Sequence, residues 1–267
     1  MVVLLGACRD RLAHIAVARV VIDAPRELDE RRGLRDALQK HAQEVLKADA
    51  DGTWESKPQA ATHLLALTLL PDGGASSPGR SLQVILRPTD KEPLFGASAP
   101  IPAGDGIEVF AQAFAAAWHL VGLQRKMEAA GTEALLPGLG ASQRAVRAFA
   151  IARLGELRTP EAVVPLCKLL TDEEDEGLVL RAIGSLVAIG DTRAVEPLIE
   201  LTRRREAPFV LQVVFAVGAI GGRTAEAFLV TLASGHPSKQ VQRGAKDALR
   251  EMEQRQREEG KVTAATP

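Results

Sequence analysis

The chain of 267 residues contains no tyrosine, two tryptophans and seven phenylalanines, too little aromatic surface for base stacking or sugar platforms. Its net charge is −1, from 33 basic and 34 acidic side chains. That balance holds in each half, so neither carries the cationic field that draws nucleic acid or an anionic membrane surface. Two cysteines, Cys8 and Cys167, cannot build a disulfide framework, and neither sits in a CxxC or a Cys/His cluster of zinc type. No run reaches the ~18 apolar residues of a membrane span; the longest candidate, residues 110–123, is Ala-rich, contains His119 and is too short. Five histidines are scattered, with no HExxH and no His-Glu dipeptide. GxSxG, P-loop and strand-borne GxGxxG motifs are also missing. These absences lead to the expectation of a non-enzymatic protein with no metal, no cofactor and no nucleic acid partner. What remains is ordinary globular composition, 46% hydrophobic and 25% charged, long enough for one large or two ordinary domains.

The two cysteines read differently. Cys167 lies in the apolar helical run 163–170, where a small buried thiol is the ordinary outcome. Leu5-Gly6-Ala7-Cys8 resembles the bacterial lipobox, whose small residues fit beside the scissile bond and whose cysteine takes a diacylglycerol. The resemblance implies lipidation of Cys8 and a protein of the bacterial cell envelope, facing the periplasm and attached to the membrane only through lipid. A signal segment also has a cationic start and an apolar stretch of roughly 7–15 residues. Only Met1-Val2-Val3-Leu4 precede the box, so this reading assigns residues 1–11 to a signal remnant whose true start lies upstream. The alternative is a cytoplasmic protein whose first strand opens on apolar residues.

Residues 12–131 read as a small α+β domain. The β-branched run 14–23 is a strand stopped by Asp23-Ala24-Pro25. In 31–50, Leu34, Leu38, Ala42 and Val45 recur at helical spacing. Runs 62–70 and 81–87 are strands joined across a Gly- and Pro-rich turn, 94–101 is a third extended piece, and 107–129 is a long helix ended by Gly131. The expected layout is β-α-β-β-α, with helices on one face of an antiparallel sheet. The order of elements, with the words SLQVILRPTD and PLFG before an Ala-rich helix, resembles the N-terminal domain of TolB and the CsgG-type envelope lipoproteins. That resemblance implies a periplasmic module that positions partner proteins.

Residues 142–257 repeat. Ala150, Ala182, Val213 and Ala245 form one column; Leu154, Leu186, Val217 and Leu249 a second; Leu157, Ile189, Ile220 and Met252 a third, each with spacings of 32, 31 and 32. A fixed period in this range means stacked supersecondary units that share one continuous core. Each unit reads as helix, tight turn, helix, with Gly190 at a left-handed C-terminal position and Asp191 or Thr192 capping the next helix. Thr159 and Pro160 serve the same turn in the first unit. The words LGELRTPEAVVPLCKLL and LVAIGDTRAVEPLIEL resemble the HEAT-like repeats named after phycobilisome lyases. The resemblance implies an all-α solenoid of about three and a half units, the fourth a single helix, followed by a flexible tail at 258–267.

Two charge runs stand between units: Asp172-Glu173-Glu174-Asp175-Glu176 and Arg203-Arg204-Arg205. The period places them one repeat apart on one edge of the solenoid, as candidate contacts for a protein partner; the concave surface formed mainly by the second helices, with Leu198, Glu200, Leu229 and Thr231, is the other candidate. The charge runs also read as solvated loops, in which exposed pairs contribute about 0–1 kcal/mol each. Bilin lyase activity fits the repeat name, but fold alone does not carry function and no bilin pocket is evident in the sequence. The resulting expectation is an α+β domain followed by a HEAT-like solenoid, acting as a lipid-anchored interaction scaffold. The alternative is a cytoplasmic adaptor or regulatory subunit of an enzyme.

Overall fold

The computed structural model describes residues 15–23, 33–49, 52–55, 57–71, 80–89, 94–104, 106–203 and 206–264. The chain divides into two compact units at Phe149/Ala150.

The first unit is built on a five-stranded sheet in the order β2-β1-β3-β4-β5. Its strands are β1 (Ile15–Asp23), β2 (Gly52–Trp54), β3 (His63–Pro71), β4 (Arg80–Pro88) and β5 (Phe95–Pro100). The sheet is mixed, which corrects the expectation of an antiparallel one: β1 runs parallel to both β2 and β3, while β3, β4 and β5 are antiparallel neighbours. The cause is helix α1 (Leu34–Ala48), which returns the chain to the starting end of β1. A crossover of this kind joins parallel strands. Helix α1 buries Leu34, Leu38, Ala42 and Leu46, a regular four-residue stripe in which Leu46 takes the place the sequence reading gave to Val45. In β4, Leu82, Val84 and Leu86 alternate with half-buried neighbours, the pattern of a sheet covered on one side.

Helix α2 (Glu108–Ala130) lies across β4 and β5. It buries Phe110, Phe114 and Trp118. The rings of Phe114 and Trp118 stack at 6.0 Å, and His41 of α1 meets Phe114 edge-on at 5.6 Å. Gln124, 1% exposed, pairs its side-chain amide with both backbone groups of Gly96 in β5, accepting at 2.9 Å and donating at 2.8 Å, and donates also to Ala145 O at 3.1 Å. A short helix α3 (Thr132–Gly138) follows, and α4 (Arg144–Glu156) runs across the division between the units.

The second unit is helical throughout among its described residues. After α4 come α5 (Val163–Asp172), α6 (Glu176–Ile189), α7 (Val195–Leu201), α8 (Ala207–Ile220), α9 (Arg223–Gly235) and α10 (Lys239–Ala264). Helices α4, α6, α8 and α10 are the first helices of successive repeats; α5, α7 and α9 are the second helices, the first two entered through single 3-10 turns at Pro160–Ala162 and Thr192–Ala194. The column Ala150, Ala182, Val213 and Ala245 is fully buried, as are Leu154, Leu186 and Val217. Leu249, expected in the same core, is only half-buried because α10 is packed on one side. The third column is not a core column at its start, since Leu157 is 47% exposed just past the end of α4. Helix α10 continues to Ala264, beyond the point at which the sequence reading begins a flexible tail. A single Gly260 within a run of good helix formers costs only about 1 kcal/mol.

Small residues set the spacing of the first helices. A Cβ at Gly155 of α4 would lie 2.7 Å from Ser185 of α6, and one at Gly218 of α8 would lie 2.8 Å from the Ala248 Cβ of α10. These are equivalent contacts in the repeat register. At the first, Ser185 Oγ donates to Ile151 O at 2.7 Å, so the approach that excludes a side chain also satisfies a buried hydroxyl.

Candidate functional site

The surface made by the second helices begins with the turns that launch them. Gly190 closes α6 at φ 74°, the left-handed conformation that glycine adopts without penalty. Equivalent positions after α4 and α8 hold Arg158 at φ 49° and Gly221 at φ 80°. In the turn after Gly190, the Asp191 carboxylate accepts from Arg193 N at 2.9 Å and takes the Arg193 guanidinium in a forked pair at 2.6–3.1 Å. The guanidinium also donates to Pro160 O of the preceding repeat at 3.2 Å, tying consecutive turns together.

The hydrogen bonds from the Arg193 guanidinium and backbone amide hold the Asp191 carboxyl below its ordinary range, and the carboxylate in turn raises Arg193. Cys167, half-buried on α5, is raised by burial first and by the Asp191 charge second, against an opposing effect of Arg193. This thiol is held in its protonated form and is a poor nucleophile at neutral pH.

Two of the five acidic residues have local work. Asp175 caps α6 by accepting from Leu178 N at 3.1 Å, and Glu173 accepts from Asp175 N at 3.1 Å. Asp175 and Glu176 also sit where the helix N-terminus favours negative charge. Asp172 ends α5, and Asp172, Glu174 and Glu176 point into solvent. Arg203 follows α7 and donates to Glu200 at 2.8 Å, both being exposed. The structure thus places Asp172–Glu176 and Arg203 after consecutive second helices, as the period requires, and the ion pair described for Arg203 is with its own helix. Arg204, Arg205 and Cys8 lie outside the described residues.

Sequence reasoning could not say which side chains of the second helices face outward. Glu161, Lys168, Arg193, Glu196, Glu200, Arg223 and Glu226 are exposed on or beside the second helices, together with Val164 at 64% and Val230 at 53%. Leu198 and Leu229 face inward. The signal for this was the position of charge within each repeat rather than the charge runs between repeats. Among the described residues no group of three or more His, Cys, Asp or Glu side chains is placed to hold a metal ion, and no helix is long and apolar enough to cross a membrane.

Stacked helical pairs with left-handed turns, shared cores and an exposed second-helix row define a helical-repeat solenoid. Residues 132–214 match the HEAT repeats family, and the C-terminal half is a solenoid of that kind. A stretch of 61 residues is 43% identical to the bilin biosynthesis protein PecE of Mastigocladus laminosus, covering 23% of each chain. The chain therefore spans about a quarter of that relative. This similarity overturns the expectation of a non-enzymatic protein, because the relative that shares the repeat is a biosynthetic one.

Proposed function

We infer that the solenoid binds a protein partner along the row of second helices. The observation that carries this reading is the exposed, mixed-charge row on a rigid stack of repeats, with Val164 and Val230 standing out of it as apolar anchors. Charged groups at such a surface select the partner and its orientation, and apolar side chains at the centre supply most of the affinity. The test is crosslinked co-purification of the wild-type chain beside variants with Arg203–Arg205 reversed to glutamate and with Val164 and Val230 changed to aspartate. Loss of one shared partner from both variants supports the reading; an unchanged set of partners overturns it.

The location proposed with it is the bacterial envelope, through a lipid on Cys8, supported by the lipobox-like Leu5-Gly6-Ala7-Cys8 and by the resemblance to TolB-type modules. A mature product that begins at Cys8 and carries added acyl mass is the expected result in a bacterial host. A soluble product retaining the residues before Cys8 moves the partner search to the cytoplasm.

A second reading, action on a bilin or on a protein that carries one, is favoured by the similarity to PecE. Titration of the purified chain with a linear tetrapyrrole, followed by absorbance, tests it. A saturable spectral change supports the reading, and none at any concentration removes it.

A further inference from the structure

The balanced charge of the C-terminal half is sorted by face on α10. This helix buries Val241, Ala245, Ala248 and Met252 against α8 and α9. At about 100° per residue, Lys239, Arg243, Lys246 and Arg250 fall in one line on the side opposite that core, and all four are exposed. Glu253, in contact with Arg257 at 3.5 Å, ends the line. Asp247, Glu251 and Glu258 form a second exposed line about a quarter turn away, Glu251 and Glu258 lining the groove beside Ala219 of α8. Arg243 and Lys246 hold no ion pair among the described residues. Lys239 donates to Gln242 Oε1 at 3.4 Å, and Arg250 has an exposed contact with Asp247. We propose that the basic line docks an acidic helix of a protein partner, one whose carboxylates recur at the same 4-3-4 spacing.

The sorting carries the argument. A polar outer face keeps the end of a repeat stack soluble whatever the order of its charges. Like charges three and four residues apart on a helix repel, and acids interleaved among Lys239, Arg243 and Lys246 would have turned that repulsion into attraction. Helix α10 instead keeps its acids on another line, which leaves a cationic strip that an external anion completes. The strip is narrow. Lys239 to Arg250 spans about 16 Å along the axis, and the acidic line lies about 8 Å to one side. A membrane or a nucleic acid duplex is broad enough to press its own negative charge onto Asp247 and Glu251. One helix, about 10–12 Å across, meets the cations alone, and any basic side chains on its flank face Asp247 and Glu251. This surface is separate from the row of second helices and does not depend on the reading given to that row.

Fluorescence anisotropy of the full chain tests the proposal with two labelled, alanine-rich helical peptides of about twenty residues. One carries glutamates at i, i+4, i+7 and i+11; the other has the same composition with its glutamates spread around the helix. The wild type binds the striped peptide about fivefold tighter or more, and the affinity falls as salt is raised. Arg243→Glu combined with Lys246→Glu weakens that binding by roughly tenfold or more. Both positions are exposed, and a thermal melt verifies the fold. Val164→Asp combined with Val230→Asp leaves peptide binding unchanged. The proposal is overturned by a striped peptide that does not bind, by equal binding of the two peptides, or by a charge-reversed variant that binds as the wild type does. Phosphatidylglycerol vesicles or duplex DNA that hold the wild type and release that variant would also overturn it, by making the strip a general anion surface.

Discussion

The two rows of helices in the solenoid obey different rules. Among the first helices, α4 and α6 meet at Gly155 and Ser185, and α8 and α10 meet at Gly218 and Ala248, with no room for one more carbon atom. The second helices α5 and α7 are shorter and are entered through polar turns, and the second row turns glutamates, arginines and a lysine outward. One row sets the pitch of the stack, and the other presents mixed charge around Val164 and Val230. The comparison teaches that a residue type has no fixed meaning in a repeat: a glycine on the first row is a spacer at 155 and an open surface position at 184.

The heaviest blow to the first row is Leu186→Ala. It empties a fully buried site in the shared core, and a loss of about 2–5 kcal/mol is expected in chemical denaturation. Next comes Gly155→Ala, whose Cβ enters the Ser185 side chain and backbone; a cost of about 1–3 kcal/mol is expected. Gly184→Ala meets nothing and is expected to stabilise by about 0.5–1 kcal/mol through helix propensity. If both alanines had the same sign, the spacer account would fail. On the turns, Asp175→Ala removes the cap of α6 at about 1 kcal/mol. Arg158→Gly relieves a left-handed arginine where the other repeats have glycine, raising stability by up to about 1 kcal/mol in the same assay.

The smallest effect is a pH dependence at Asp191. Its folded pKa lies below its unfolded one, so its contribution is complete above the ordinary carboxylate value of 3.8 and is lost as pH falls through the folded value. Asp191→Asn lacks that contribution, so it is slightly less stable than the wild type at neutral pH and the two curves converge as pH falls through the folded value. Melting curves collected across the acid range separate the two, and identical acid limbs would show the Asp191–Arg193 pair to be energetically silent.

Much of this architecture was legible. The 31–32-residue columns located the repeats because a shared core demands the same apolar position in every unit, and Ala150, Ala182, Val213 and Ala245 are all fully buried. Gly190 and Asp191 revealed a turn because a left-handed position and an N-cap accept few residue types. The column through Leu157 misled, since periodicity does not tell a residue inside a helix from one just beyond its end. The parallel pairing of β1 was hidden because β2 is three residues long and gives no alternation to read. Gly155 was silent because its role lies in what faces it thirty residues later. Two docking candidates were legible, the like-charge runs in the loops and the concave surface of the second helices, but not which residues of those helices face out. The structure moves attention to helix faces, whose residues are adjacent only after the repeats have stacked.

Gln124 has a consequence for how the first unit behaves in a crowded solution. Strand β5 ends the sheet, and a bare strand edge invites a strand from another molecule to pair with it. At Gly96 one glutamine amide occupies both the donor and the acceptor that such a strand would seek. The sheet is closed there by a side chain in place of a sixth strand, which guards the unit against edge-to-edge aggregation.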